Sequence, residues 1–316
     1  MPATLSRPVL MIAGPTASGK SEIALILAGR LPGEIVSVDS MQVYRGMDLG
    51  TAKPSADEQR AARHHLIDVA ECNETFDAAR FVSLAREAID HIGGRQRVPI
   101  LCGGTGLYFK ALREGLGEAP PANPSLRAEL ERIPISLLLE ELAAKDPATF
   151  QRIDRKNPRR IVRAVEVLRV SGQPHSRQRA AWFSPLEGAS KDAPAIFVLR
   201  RESQDLHSRI NARVDRMFAA GLVAETRGLL ARGLEQNRTA MQAIGYRQVV
   251  EHLQGKRSLP ETIALVKTKT SQFAKRQMTW YRRQLPVCWI DVAADEAAAS
   301  AADRIQAGFE RQIAAG

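Results

Sequence analysis

Gly14-Pro15-Thr16-Ala17-Ser18-Gly19-Lys20-Ser21 decides the fold of this chain. The run has the phosphate-loop spacing G-x-x-x-x-G-K-[ST]. Before it, residues 9–13 (VLMIA) form an apolar run of strand length. After it, Ile23, Ala24, Ile26 and Leu27 recur at helical spacing. Strand, glycine-rich turn and helix N-terminus in that order make an anion cradle. The glycines let backbone N–H groups converge on phosphate oxygens, the helix terminus adds partial positive charge, and Lys20 neutralises a terminal phosphate. Ser21 offers a hydroxyl to Mg²⁺. The pattern is shared by nucleotide- and ATP-binding proteins and does not by itself name the polyphosphate.

Outward from the loop, short apolar runs alternate with helical stretches. Residues 9–13, 35–38, 66–69 and 99–102 read as buried parallel strands, the βαβ rhythm of a doubly wound sheet. A Pro-rich break, EAPPANP at 118–124, interrupts that rhythm. From 125 to about 179 the pattern is helical throughout. Asn157-Pro158 opens one of those helices near Arg159, and Gly172-Gln173-Pro174 stops it. A loop over 184–194 leads to a new strand at 195–199. Helices then run to a last strand at 287–290, and the Ala-rich tail reads as a surface helix. The expectation is an α/β fold: a parallel-sheet core of the phosphate-loop type flanked by helices, residues 1–117 and 195–316, with an all-helical insertion domain at 118–194.

Charge and composition narrow the partners. The chain carries 45 Lys and Arg against 35 Asp and Glu, a net charge of +10. The excess gathers at 152–169, 177–179, 200–216, 227–247 and 267–283, while the first hundred residues are near neutral. Localised positive charge favours a nucleic-acid surface over diffuse solubilising charge. No run of about 18 apolar residues is present, so no membrane association is expected. The three cysteines, Cys72, Cys102 and Cys288, lack metal-ligand spacing and read as buried thiols of a reducing cytoplasm. His64 and His65 also lack a metal pattern and read as core or capping residues.

In open parallel sheets, ligands bind beyond the carboxyl ends of the strands. The second run ends in Asp39-Ser40-Met41-Gln42-Val43-Tyr44, and the fourth in Gly103-Gly104-Thr105-Gly106. The loop spacing is not G-x-G-x-x-G, which argues against a dinucleotide. The run at 99–102 lacks the terminal Asp with which ATP-driven motors usually hold Mg²⁺.

Taken with the phosphate loop, these stretches resemble the tRNA dimethylallyltransferase family. So do Asp48-Leu49-Gly50-Thr51-Ala52-Lys53-Pro54, His64-His65-Leu66-Ile67-Asp68 and Gly103-Gly104-Thr105-Gly106-Leu107-Tyr108. Asn157-Pro158-Arg159-Arg160-Ile161-Val162-Arg163-Ala164, Gln242-Ala243-Ile244-Gly245-Tyr246-Arg247-Gln248 and Ala274-Lys275-Arg276-Gln277-Met278-Thr279-Trp280 continue the match in collinear order. The resemblance implies transfer of a dimethylallyl group from dimethylallyl diphosphate to N6 of adenosine 37, beside the tRNA anticodon. It implies Asp39 as the base that takes the amine proton and Thr105 as the group that fixes the amine. By the same resemblance, Gly14 to Ser21, Arg127 and Arg213 hold the diphosphate, with Ser21 toward Mg²⁺. Arg209 lies on the same helix and is the alternative to Arg213. Asp39, Ser40, Met41, Gln42, Thr105, Arg127, Arg159, Arg160, Ile161, Val162, Arg163, Gln242, Ala243, Ile244, Gly245, Tyr246 and Arg247 are expected to hold an anticodon stem-loop whose target base leaves its stack. A cytoplasmic monomer is expected. Residues 131–136 are shorter than the family's usual insertion. Three other readings are an adenylate isopentenyltransferase, which the Arg-rich insertion disfavours, a small-molecule kinase using residues 152–169 as a basic lid, and a non-catalytic RNA-binding protein, which leaves Asp39 and the phosphate loop unexplained.

Overall fold

The computed structural model describes residues 8–178 and 195–315. The chain forms two compact units, Met1–Arg113 with Phe183–Gly316, and Glu114–Trp182. The loop expected at 184–194, and with it the expected end of the insertion, lies outside the described residues.

The first unit is built on a six-stranded sheet. Its strands are β1 (Leu10–Ala13), β2 (Gly33–Val38), β3 (His64–His65), β4 (Val98–Gly103), β5 (Ile196–Arg200) and β6 (Cys288–Asp291). Their order is β3-β2-β4-β1-β5-β6, and every pairing is parallel. The central strands are apolar on both faces, as a sheet covered on both sides requires. Met11, Ala13, Val36, Val38 and Leu101 pack into one core with Phe81, Ala85 and Ile89 of the helix Ala78–Gly94. Leu10, Ile12, Ile35, Ile100 and Leu199 pack into the other with Ile23 and Leu27 of the helix Lys20–Arg30. The Ala-rich tail is the helix Ala298–Ala315, which lays Ala301, Ala302, Ile305 and Phe309 into that second core.

The strand expected at 66–69 is not formed. The short edge strand β3 lies just before it, and Leu66 and Asp68 take positive φ values of 61° and 56° that break an extended run. A remote side chain accounts for the break. Lys53, only 4% exposed, places its ammonium 2.6 Å from Asp68 Oδ1, 2.5 Å from Asp48 Oδ1 and 2.9 Å from the Tyr44 carbonyl, folding 66–69 back toward the turns after β2. The two histidines serve structure: His65 Nε2 lies 2.7 Å from the buried Glu34 carboxylate, and His64 Nδ1 lies 2.7 Å from the Ala62 carbonyl.

The second unit is helical: Pro124–Leu130, Ile135–Lys145, Pro147–Arg152, Pro158–Ser171 and His175–Gln178. Asn157 caps the longest of these by accepting from the Arg160 N–H, Pro158 pre-sets its first turn, and Gly172 closes it at φ 67°. Leu130, Leu138, Leu142, Ile161, Val162 and Val165 form its core. Two buried carboxylates pin it. Asp146 accepts from Thr149 and Ser176, and Glu166 accepts from Arg127, Arg163 and the Asn123 N–H. Among the described residues, no helix is long and apolar enough to cross a membrane.

Candidate functional site

The carboxyl ends of β1, β2 and β4 converge on one cleft of about 430 Å³. The phosphate loop follows β1. Gly19 caps the helix Lys20–Arg30 in the left-handed region at φ 94°, with no side chain on the first-turn N–H groups, so those donors are open to an anion. The loop's carbonyls are held from behind. Arg201 Nε–H donates to the Ser18 carbonyl at 2.8 Å, and Arg209 Nε–H donates to the Ala17 carbonyl at 3.0 Å. These two bonds fix the Ala17 and Ser18 carbonyls, while the Thr16 N–H donates to Gln277.

Lys20 and Ser21 both line the cleft, and Lys20 Nζ donates to the Pro15 carbonyl at 3.2 Å. Arg213 lines the same cleft; its Nη2 reaches the Thr51 carbonyl at 3.4 Å, and its buried Nε–H has no partner among the described residues. Burial pushes the Lys20 ammonium below the usual lysine range, and the Arg213 charge adds to the push. Burial likewise lowers Arg213; the Asp39 charge across the cleft opposes this and the Arg216 charge adds to it. Two partly desolvated cations without an ion pair leave surplus positive charge facing an open cleft, which is the electrostatic form of an anion site. A second, basic pocket of about 540 Å³ shares Lys20, Ser21 and Arg213 with the first and adds Arg209 and Arg216. Arg213 is thus the one of the two arginines that reaches the main cleft, while Arg209 supports the loop.

The opposite wall comes from the turns after β2 and β4. Asp39 Oδ1 accepts from the Met41 N–H at 2.8 Å and the Gln42 N–H at 3.3 Å. Its Oδ2 has no partner among the described residues. Asp39 therefore caps its own turn with one oxygen and keeps the other for the cleft. Thr105 Oγ1 accepts from the Ser40 N–H at 3.1 Å. Gly103 has to be glycine, because a Cβ there would strike the Val38 carbonyl of the neighbouring strand. Val214, Met217, Val266 and Phe273 give the cleft an apolar side.

Of the other expected contact residues, Ser40, Met41, Gln42, Gln242, Ala243 and Ile244 also line this cleft. Gly245 takes φ 101° at the start of the following helix. Tyr246 is fully buried: its hydroxyl donates to Glu225 at 2.6 Å and accepts from the Gly50 N–H at 3.1 Å, tying the Gly50 turn to the 242–244 segment. Arg247 is exposed and pairs with Glu251. Gly14, Pro15 and Ser18 are buried in the loop, and Ala17 and Gly19 line the second pocket. Arg127, Arg159, Arg160, Ile161, Val162 and Arg163 belong to the helical unit. There Arg159 and Arg160 are exposed, Ile161 and Val162 turn into the core, and Arg127 and Arg163 share Glu166. Nothing in the sequence marks a role for Gln277 or Arg201. Arg201 follows β5 directly, a position where side chains reach the ligand edge of the sheet.

Residues 42–284 match the family described as IPP transferase. The chain belongs to the IPP transferase family. Among its relatives, tRNA dimethylallyltransferase 1 of Trichlorobacter lovleyi is 47% identical over 289 residues, covering 89% of this chain and 93% of that protein. A tRNA dimethylallyltransferase of Desulforudis audaxviator is 43% identical, covering 98% of this chain and 100% of the relative. The crystal structure of the full-length tRNA isopentenylpyrophosphate transferase of Bacillus halodurans superposes with a TM-score of 0.69 at 36% identity, covering 97% of this chain and 98% of that one. The parallel six-stranded sheet flanked by helices is therefore the scaffold of this family.

Proposed function

We propose that this chain is a tRNA dimethylallyltransferase that moves the dimethylallyl group of dimethylallyl diphosphate to N6 of adenosine 37, beside the anticodon. One observation carries the reading: a single cleft has Lys20, Ser21 and Arg213 on one side, Asp39 and Thr105 on the other, and an apolar wall beside them. A prenyl diphosphate has that polarity, with an anionic head and an apolar tail. In the step, N6 attacks the C1 carbon as the C1–O bond breaks. The bonding electrons leave with diphosphate, and the N6 proton passes to the free Oδ2 of Asp39. Thr105 fixes the amine. Lys20, Arg213 and the open loop amides meet the charge that develops on the leaving group.

Mg²⁺ fits the donor set. The described residues hold no cluster of three acidic, His or Cys ligands, and Ser21 offers a hydroxyl beside the diphosphate position. A hard cation held chiefly by substrate phosphates and water needs no more than that, and it supplies charge neutralisation. The target base reaches the cleft by leaving its stack, and the basic helical unit, with Arg159 and Arg160 exposed, suits the RNA backbone.

The test mixes the protein with labelled dimethylallyl diphosphate and either an anticodon stem-loop or AMP. Label in the stem-loop supports the proposal. Label in AMP alone, or ATP-dependent phosphorylation without transfer, overturns it.

A further inference from the structure

We infer that Gln277 is a positioning residue that holds the phosphate loop in register with the turn bearing Thr105. The inference rests on the transfer reaction proposed above. Gln277 sits on the long helix Leu259–Gln284 and is 8% exposed. Both ends of its amide are engaged. Its carbonyl oxygen accepts from the Thr16 N–H at 3.0 Å, and its NH₂ donates to the Gly104 carbonyl at 2.8 Å. The two partners fix the amide's orientation, because a flipped amide would set donor against donor and acceptor against acceptor. Gly104 makes room for it: a Cβ there would lie 2.5 Å from Gln277 Nε2.

The position matters because of what each loop carries. β1 and β4 are neighbours, with Ala13 opposite Gly103 at the end of the ladder. Beyond that point the two chains diverge into the phosphate loop and the Thr105 turn. The loop sets where the diphosphate, and so the reacting carbon, rests. The turn sets where the amine rests. Gln277 lines the cleft at that divergence and bonds to both loops, so it sets the separation of the segments that carry the two reacting groups. It also draws the Thr16 N–H toward its own carbonyl and away from the anion cradle. A misplacement of about 1 Å between reacting groups costs on the order of 10²-fold in rate.

The experiment compares wild type with Gln277→Met, which keeps the shape and loses both bonds. It adds Gln277→Glu, which keeps an acceptor for the Thr16 N–H but sets an oxygen against the Gly104 carbonyl. Transfer to the anticodon stem-loop is followed with labelled dimethylallyl diphosphate. Hydrogen exchange at the Thr16 amide is read without substrate, and melting is recorded for each protein. The expected result is a fall in kcat on the order of 10²-fold for Gln277→Met, with each KM within about threefold, an intermediate value for Gln277→Glu, and loss of Thr16 amide protection in Gln277→Met. Unchanged kcat overturns the inference. So does a raised KM for RNA at unchanged kcat, which would mark a direct RNA contact, and so does a loss that merely tracks the unfolded fraction in both variants. A wild type that makes no transfer fails the proposed function instead, and Thr16 protection then judges Gln277 on its own.

Discussion

Thr105 Oγ1 accepts a hydrogen bond from the Ser40 N–H at 3.1 Å, joining the turn after β4 to the turn after β2. The bond orients the segment that begins with Asp39, whose Oδ1 is taken by the Met41 and Gln42 N–H groups. One carboxylate oxygen is structural and the other is available, which is the arrangement a general base needs.

Asp39→Asn separates the two duties. The amide oxygen still accepts from the turn, so the fold and stem-loop affinity stay near wild type. Proton acceptance is lost, and turnover falls by about 10²- to 10⁴-fold. Steady-state transfer and a stem-loop binding titration check this; near-normal turnover would remove Asp39 from the base role.

Lys20 titrates below the ordinary lysine range. Burial and the Arg213 charge hold its ammonium below the ordinary value of 10.5. A bound diphosphate favours the charged form and raises it again. Dimethylallyl diphosphate affinity is therefore full while Lys20 is charged. It declines as pH rises through the lowered value, with proton uptake on binding. Calorimetry in two buffers of different ionisation enthalpy measures that uptake. Lys20→Ala flattens this limb and weakens binding by about 1.5–3 kcal/mol.

Tyr246→Phe keeps the ring against Gly50 and removes the hydroxyl shared by Glu225 and the Gly50 N–H. Burial pushes that hydroxyl's pKa up, so it stays a donor in the wild type. The change destabilises the protein by about 1–3 kcal/mol. The salt slope of RNA binding stays unchanged, since the side chain is buried. Denaturant melts and a salt titration distinguish this from an RNA contact, whose loss would lower the slope.

Arg159→Ala and Ile161→Ala, two residues apart on one helix, give opposite signatures. Arg159 is exposed, so its loss weakens stem-loop binding and lowers the salt slope by about 1. Ile161 is fully buried, so its truncation costs about 2–5 kcal/mol of stability in the helical unit and leaves the slope alone.

Glu166 makes the helical unit acid-sensitive. Burial pushes its carboxyl up, but Arg163, Arg127 and the Asn123 N–H outweigh that and hold it below the ordinary 4.5. Because the folded value is lowered, the stability it contributes is present above the unfolded-state value and is lost as pH falls through the folded one. Glu166→Gln shrinks this acid dependence, which melts recorded from neutral pH down to pH 3 report.

The strands were legible because a buried parallel strand leaves an unbroken apolar run. The 66–69 run is apolar but for Asp68, and it is not a strand: Lys53 holds that Asp68 from outside the segment. Local pattern carries no signal for a remote ion pair. The stretch 242–247 was legible as one motif, yet its members divide: 242–244 line the cleft, Tyr246 is interior, and Arg247 is on the surface.

The sequence by itself determined the anion loop, the parallel-sheet rhythm, the helical insertion and the family. The first three are written in local spacing, glycines where a turn needs them and apolar residues at the period of a strand or helix, and the family in the resemblance of whole motifs. Only the tertiary structure decided which arginine reaches the cleft, which motif residues are buried, and that Gln277 lies between Thr16 and Gly104. Those contacts join residues that are far apart in sequence and become neighbours only when the sheet and the long helix pack. Gly14–Ser21 specifies a glycine-rich turn that ends in a helix N-terminus with uncapped amides. The packing around it specifies what stands opposite.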